Sequence, residues 1–165
     1  MATIKGTGTV LDTDFKTVVW EGKTKAGKAI KITLKNAISR GNIDWTFAEK
    51  GDTVASVEFE ACYTNTDSMD GVTEEPFTIE TPDDSLSGAS GIMLGAGVVT
   101  INGKEVALTR GGSQFTVERE YREINADGDR GAVVGRVVMD ASRPKLTVNA
   151  LQILDNLSEL YSGIE

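Results

Sequence analysis

The pattern of this chain changes in one segment, PFTIETPDDSLSGASGIMLGAGVVTING, which runs from Pro76 to Gly103. The VEFEACY run before it and the GVVTING and EVALTRGG runs after it resemble β-strands. Between these runs, TPDDSLSGASG consists mainly of Ser, Gly and Asp, which are turn and linker residues. The segment is therefore a linker between two domains, a loop within one domain, or a seam where an original chain end was joined to an original beginning.

The length of the chain favours one domain. Its 165 residues suffice for one proper core, whereas a split at Asp84 would leave two pieces near the lower limit for independent folding. No apolar run approaches the ~20 residues that span a bilayer, so no membrane partner is predicted. The opening stretch MATIKGTGTV lacks the basic start and the continuous apolar run of a signal peptide.

The composition excludes several kinds of active site. The sequence contains no histidine, which rules out Ser-His-Asp and Cys-His nucleophile systems and every His-liganded metal site. Cys62 is the only cysteine, so no intrachain disulfide is predicted and the expected compartment is reducing. The net charge of −8 argues against binding a nucleic-acid backbone through a broad basic face. No cofactor and no metal are predicted.

The first half of the chain reads as β-strands. FKTVVWEG and KAIKITLK flank KTKAG as the arms of a hairpin would, and the second arm alternates apolar with polar residues. The stretch NAISRGNIDWTFAEKGD is predicted to be irregular or a single turn, leading into the alternating Ile43, Trp45 and Phe47. In TVASVEFEACY, one face of a strand is predicted to present Val57, Phe59 and Ala61, and the other Val54, Ser56, Glu58 and Glu60.

The second half continues the β pattern and ends in one helix. Asn102-Gly103 and Gly111-Gly112 are predicted to be hairpin turns between the strands GVVTIN, EVALT and SQFTVEREY. NADGDRG is a predicted loop, after which AVVGRVVMD and PKLTVNAL read as two strands separated by ASR. From about Leu151 to Tyr161, leucines at helical spacing predict an amphipathic helix that packs on a sheet. The predicted fold is a single mainly β domain, residues 1–165, with one amphipathic α-helix.

The stretch GKTKAGK, Gly22–Lys28, matches the first part of a phosphate-binding P-loop. That site also needs a Ser or Thr to hold magnesium and a helix whose N-terminus faces the phosphates. Here Ala29 follows, and the next residues alternate as a strand does. A basic hairpin turn is therefore the better interpretation.

The stretch NADGDRG spaces Asn125, Asp127 and Asp129 like the first ligands of a calcium loop. Such a loop needs glycine at its sixth position and a bidentate glutamate at its twelfth. Those positions are Arg130 and Arg136, whose charges would repel the ion. A solvated turn is the better interpretation.

The carboxylates of VEREYREINAD could be mistaken for the acid pair of a glycosidase. Glu118 and Glu120 would lie ~7 Å apart on one face of one strand, whereas that chemistry needs carboxylates on opposite sides of a sugar. A cross-strand row of salt bridges is favoured instead. A hydrolase built only on carboxylates is the enzyme alternative, and no catalytic residue is predicted.

The second half resembles the beginning of the major tail tube protein of long-tailed bacteriophages. The resemblance runs from about Gly95 to Gly163 and rests on LTRGG, FTVEREYREINADGDRG, KLTVNAL and LQILDNLSELYSG. The first half is similar to the end of the same family, through GKTKAG, LKNA and NIDWTFAEKGD and a final strand that closes near EPF. Together the two parts cover nearly the whole chain.

The two parts stand in the reverse of the family order. Residues 1–84 resemble the family's C-terminal half, residues 95–165 resemble its N-terminal half, and residues 85–94 form the predicted connector. The opening segment is thus interpreted as the seam of a circular permutation, which is tolerated where the original ends can be bridged. An engineered rearrangement is the preferred origin, and a naturally permuted gene is the alternative.

The resemblance implies a structural role. Tail tube subunits are β-sandwich or barrel-like proteins with one helix, which form hexameric rings that stack into the conduit for DNA ejection. The implied partners are further copies of the chain, other tail proteins, and phage DNA that passes without specific binding. The implied location is the virion tail, after synthesis in the cytoplasm of the host bacterium. Candidate acidic residues facing the lumen are Glu118, Glu120, Glu58 and Glu60, and a solvated outer face is the alternative for them.

A monomeric β-sandwich that serves as a binding or interaction module is the alternative function. It would show the same alternation of apolar and polar residues. The two functions differ in oligomeric state, because a tail tube subunit assembles and such a module stays monomeric.

Overall fold

The structure is a computed structural model that describes residues 8–41, 54–64, 74–82, 93–128 and 130–151. These residues form a 3-10 turn at Asp12–Asp14 and seven strands. The strands are β1 (Lys16–Thr24), β2 (Ala29–Ser39), β3 (Ala55–Ala61), β4 (Phe77–Glu80), β5 (Met93–Ile101), β6 (Lys104–Glu123) and β7 (Val137–Leu151). The prediction of a mainly β chain is confirmed.

All seven strands belong to one antiparallel sheet in the order β1-β5-β6-β7-β3-β2-β4. An additional pairing of β1 with β2 closes six of these strands into a ring, which corresponds to a barrel. The short strand β4 lies outside the ring and pairs with Lys31–Leu34 of β2. Strands from both halves of the chain therefore share one sheet, since β1 pairs with β5 and β3 pairs with β7.

The core fills the inside of this ring. In β3, alternate residues are buried, namely Ala55, Val57, Phe59 and Ala61. Those predicted to lie on the other face, Ser56, Glu58 and Glu60, are exposed or half-buried. The fully buried side chains from both halves include Val18, Leu34, Val99, Leu146 and Val148. The alternation read from the sequence thus assigns the faces of β3 correctly.

The predicted hairpins at KTKAG and Asn102-Gly103 are confirmed. In the first, the Gly27 N–H donates to the Thr24 carbonyl at 2.9 Å and the Lys28 N–H donates to Thr24 Oγ1 at 3.1 Å. Gly22 lies inside β1 and the residues after Lys28 form β2, so the P-loop match is a hairpin. At the second turn, Asn102 and Gly103 have φ values of 49° and 80°, as two-residue hairpin turns with a left-handed backbone require.

The predicted hairpin at Gly111-Gly112 is wrong. Strand β6 continues through these residues, and Thr109 and Ser113 pair with Ala150 and Val148 of the same neighbouring strand. Three residues of β6 therefore oppose one residue of β7, which makes a β-bulge. The two glycines have φ values of 85° and 94°, a backbone state used by bulges as well as by turns.

Two predicted interruptions are also wrong. Ala141, Ser142 and Arg143 do not separate two strands, because they pair with β6 and lie inside the single strand β7. Strand β2 likewise continues through NAIS to Ser39, with Asn36 in the left-handed region at φ 48°. In both cases pairing with neighbouring strands overrides the local preference of small and polar residues for turns.

Several sequence predictions fall outside the described residues. The predicted helix does not begin at Leu151, which is the last residue of β7, and its positions 152–161 lie outside them. Ile43, Trp45 and Phe47 also lie outside. Of the predicted connector 85–94, only the last two positions are described, and they already belong to β5.

Candidate assembly surface

The four candidate acidic residues lie on one outward face of three adjacent strands. Glu58 and Glu60 belong to β3, Glu118 and Glu120 belong to β6, and β7 runs between them. Glu58 and Glu60 alternate with buried residues of β3 and so project away from the core, and pairing with β7 places Glu118 and Glu120 on the same face of the sheet. The structure therefore brings all four carboxylates to the same side of the barrel.

Basic residues are interleaved with these carboxylates. Lys145 Nζ lies 3.1 Å from Glu118, and Arg143 lies 3.3 Å from Glu120. Arg40 lies 3.3 Å from Glu60. Hydrogen bonding to Glu118 raises the pKa of Lys145, and the charges of Glu58 and Glu60 act in the same direction. The cross-strand salt bridges favoured for Glu118 and Glu120 are confirmed, so the face carries mixed charge.

A long hairpin extends beyond the barrel. We call residues 119–143 the arm, which comprises the ends of β6 and β7 and the loop between them. Strand β5 pairs with β6 only up to Leu108, and β3 pairs with β7 only from Lys145 onward. Among the described residues, the two strands of the arm therefore pair only with each other. Both long edges of the arm are thus unpaired in the described structure. An isolated two-stranded hairpin is only marginally stable in water, so a partner that pairs with these edges would stabilise the arm.

The arm is rich in exposed apolar side chains. Val134 in its loop is 101% exposed, and Tyr121 on β6 is 60% exposed. The other exposed apolar residues of the arm are Ile124, Val133, Val137, Val138 and Met139. Exposed apolar side chains concentrated in one element mark an interaction site in soluble proteins more often than singly scattered ones do.

A clamp of charged groups fixes the base of the arm to the segment before β4. Arg119 donates two hydrogen bonds to Glu75, from Nε at 2.9 Å and from Nη2 at 2.7 Å. The Ser142 hydroxyl donates a third to Glu75 at 2.9 Å. The hydrogen bonds from Arg119 lower the pKa of Glu75, against the opposing effect of burial. Glu75 thus joins β6, β7 and the β4 segment at one point.

Strand β4 leaves a second free edge. Within the described residues it pairs only with β2, and Ile79 on it is 50% exposed. Its Phe77 ring packs on Phe115 with centroids 5.3 Å apart, which holds the strand against the core. An unpaired edge next to an apolar arm is a natural place for another strand to add.

An open groove separates β4 from the arm. Its volume is about 570 Å³, and its walls include Phe77 and Thr78 on one side and Arg119, Tyr121 and Met139 on the other. Its carboxylate Glu75 is engaged by Arg119 and Ser142. The groove can receive a side chain or an extended segment, whereas its bound carboxylate is poorly placed to act as a general base.

The structure describes only part of the calcium-loop match in NADGDRG. Asn125 and Asp127 lie in the predicted loop between β6 and β7, while Asp129 is outside the described residues. In the ranges that the structure describes, no group of three or more Cys, Asp and Glu side chains is arranged to hold a metal ion.

The sequence did not lead us to predict that the arm is an exposed apolar surface. The stretch AVVGRVVMD is predicted to be a strand, but only its part from Val137 onward belongs to β7, and all four of its valines are exposed. A signal was present, because Val133-Val134 and Val137-Val138 place apolar residues at consecutive positions, on both faces of the chain. A strand with one wet face would alternate instead.

Comparison of the chain with family models, curated proteins and solved structures found no match. No helix in the described part of the chain is long and apolar enough to cross a membrane.

Proposed function

We propose that the chain is a structural subunit of a bacteriophage tail tube, which assembles into hexameric rings that stack to form the conduit for DNA ejection. The proposal rests on the resemblance of motifs in both halves of the sequence to those of tail tube proteins. The structural observation that supports assembly best is the projecting arm with its exposed apolar side chains. On this proposal the protein is located in the virion tail.

The distribution of charge is compatible with assembly through the arm. The arm carries equal numbers of acidic and basic side chains, so the net charge of −8 belongs to the rest of the chain. Two copies of net charge −8 repel each other, and the arm, which is neutral, adds nothing to that repulsion. Apolar contact and strand addition at free edges would then supply the attraction.

Ring contacts between identical subunits would be heterologous, with the arm or β4 of one subunit meeting a different face of the next. Such contacts close into a ring when the rotation between neighbours allows it. The number six comes from the family resemblance alone. Glu58, Glu60, Glu118 and Glu120 remain the candidates for the lumen, with their negative charge reduced by the paired Lys145 and Arg143.

Negative-stain imaging combined with sedimentation velocity over a wide concentration range tests the proposal. We expect rings at high concentration and monomer at low concentration. Val134→Asp should shift this equilibrium toward monomer, because Val134 is fully exposed and contributes nothing to the core of the subunit. Val10→Asp is the matched control, since Val10 is 62% exposed outside the arm. A wild-type chain that stays monomeric at millimolar concentration would contradict the proposal.

A monomeric β module that binds a partner is the second candidate function. The observation that favours it is the groove between β4 and the arm, which is lined by both apolar and charged side chains. Such a protein would sediment as a single species of monomer mass at every concentration. Substitutions in the groove would then weaken partner binding and leave the mass unchanged.

A further inference from the structure

The free edge of β4 presents the backbone groups of two apolar residues. The Lys35 N–H donates to the Pro76 carbonyl at 2.9 Å, and this bond continues the register in which β4 pairs with β2. Hydrogen-bonded and non-hydrogen-bonded pairs alternate along an antiparallel ladder. Phe77 and Ile79 therefore belong to non-hydrogen-bonded pairs, and their backbone N–H and C=O groups point away from β2, toward the open edge.

The free edge of β7 in the arm has the same character. The Ile124 N–H donates to the Arg136 carbonyl at 2.9 Å, which continues the register between β6 and β7. By the same alternation, the backbone groups of Val137 and Met139 point away from β6. Each of the two edges thus offers hydrogen-bonding groups at two apolar residues, spaced two positions apart.

These two edges match in one antiparallel register. Phe77 opposite Met139 and Ile79 opposite Val137 would bring outward backbone groups face to face and would pair apolar side chains on one face of the sheet. A shift by one residue would turn the backbone groups of one strand away from the other. A shift by two residues in either direction would leave only one pair of large apolar residues. Three of the four side chains are exposed in the described structure, namely Ile79, Val137 and Met139.

The same register also matches the residues between and beside these pairs. It places Glu80 opposite Arg136, and opposite charges that face each other across two strands stabilise the pairing. Thr78 and Val138 form its non-hydrogen-bonded pair, in which the Cα atoms lie about 4.5 Å apart. That separation is within the range of about 4.4–6.8 Å that a disulfide spans.

Within one chain the two edges do not pair with each other. Among the described residues β4 pairs only with β2, and its Phe77 ring packs on Phe115. The β7 strand of the arm pairs with β6, and a groove of about 570 Å³ separates it from β4. Each edge is therefore available to a strand of another chain.

We propose that the β4 edge of one copy pairs antiparallel with the β7 edge of the arm of a second copy, with Phe77 opposite Met139 and Ile79 opposite Val137. The inference rests on the proposed function in that copies of the chain associate, and it adds which edges meet and in which register. Because each chain carries one edge of each kind, the contact is heterologous and can continue from copy to copy.

Disulfide crosslinking between labelled copies tests this register. In a Cys62→Ser background, one chain carries Thr78→Cys and an isotope-labelled chain carries Val138→Cys. We expect oxidation of the mixture to join the two kinds of chain. Glu80→Cys in place of Thr78→Cys is the matched control, because its Cα atom would lie about 7–8 Å from that of residue 138, too far for a disulfide. A link from Glu80→Cys and none from Thr78→Cys would overturn the proposal.

Sedimentation velocity of the wild-type chain distinguishes failure of this inference from failure of the proposed function. Copies that associate without forming the link between positions 78 and 138 would use other surfaces, so this inference would fail and the proposed function would stand. Copies that never associate would contradict both. A chain that carries both Thr78→Cys and Val138→Cys and forms the disulfide only within itself would show that the two edges close in one molecule, which also overturns the proposal.

A proline on the β4 edge gives an independent test. Ile79→Pro removes the backbone N–H that points to the open edge and takes no donor from the ladder between β4 and β2. Ile79→Ala is the matched control, because it shortens the same side chain and keeps the N–H. We expect a larger loss of association for Ile79→Pro than for Ile79→Ala, at equal midpoints of urea unfolding. Equal losses of association would show that no strand adds to β4.

Discussion

One aromatic side chain determines which residues β1 and β5 can carry on their inner faces. The Trp20 indole lies across Gly22 and Gly97, and a Cβ atom at Gly97 would stand 2.5 Å from its Nε1. Gly97→Ala should therefore lower the free energy of unfolding by about 1–3 kcal/mol, because the added Cβ would clash with the ring and, at 2.9 Å, with the Glu21 carbonyl oxygen. Urea denaturation followed by tryptophan fluorescence measures this change.

Gly95→Ala is the control for this prediction. Gly95 lies on the same strand two residues earlier, and an added Cβ there would meet nothing within 4 Å. Its substitution should leave stability unchanged or raise it slightly, because alanine restricts the unfolded chain more than glycine does. Equal losses at both positions would show that the tryptophan contact is not the cause.

The clamp at Glu75 predicts a dependence of stability on pH. Hydrogen bonds from Arg119 hold the pKa of Glu75 below its ordinary value of 4.5 in the folded chain. A lowered folded pKa means that the stabilisation is complete above the unfolded pKa and is lost as the pH falls through the folded pKa. The stability difference between wild type and Glu75→Gln should thus be largest near neutrality and disappear in acid.

Unfolding free energies measured from pH 7 down to about pH 3 check this. Glu74→Gln is the matched control, because the Glu74 side chain is 85% exposed and lies 3.9 Å from Lys35. It should change stability little at any pH. A stability difference for Glu75→Gln that stays constant over the whole range would show that its ionisation is not linked to folding.

At the scale of the element, the strands could be predicted from the sequence where one face is wet. The alternation of Val57, Phe59 and Ala61 with glutamates identified β3 and both of its faces. Strand continuity could not be predicted where glycine or ASR resembles a turn, because pairing with another strand decides between a bulge and a turn. For the same reason, Lys145 and Arg143 could not be assigned as partners of Glu118 and Glu120 before the register of β6 and β7 was known.

The seam predicts how the two halves behave after cleavage. A protease recognition site inserted within residues 85–90 divides the chain into one fragment with β1 to β4 and another with β5 to β7. The fragments should stay associated, because β1 pairs with β5 and β3 pairs with β7, and core residues come from both. Size-exclusion chromatography of the cleaved protein measures this. Two separately folded fragments would instead indicate two domains and contradict the permutation hypothesis.

At the scale of the whole molecule, the described residues are close to neutral in the barrel as well as in the arm, and the net charge of −8 comes from sequence outside the described residues. The strand edges of the barrel are mostly satisfied by closure, so the unpaired edges of the described structure are concentrated at β4 and along the arm. Attraction between copies should then come from apolar burial and strand addition, and repulsion from the net charge of −8. Added salt weakens this repulsion and leaves the apolar contacts in place, so it should favour association. An interface held by ion pairs would instead be weakened by added salt.

Self-association should therefore strengthen as salt is added. Raising the ionic strength from about 0.01 M to about 0.15 M shortens the screening length from about 30 Å to about 8 Å, which weakens repulsion between copies of net charge −8. Apolar contacts through the arm would persist under the same change. Sedimentation velocity at fixed protein concentration should show the monomer fraction falling as sodium chloride increases, and Val134→Asp should remove most of this response. A monomer fraction that rises with salt would mean that charge pairs, and not the apolar arm, hold the copies together.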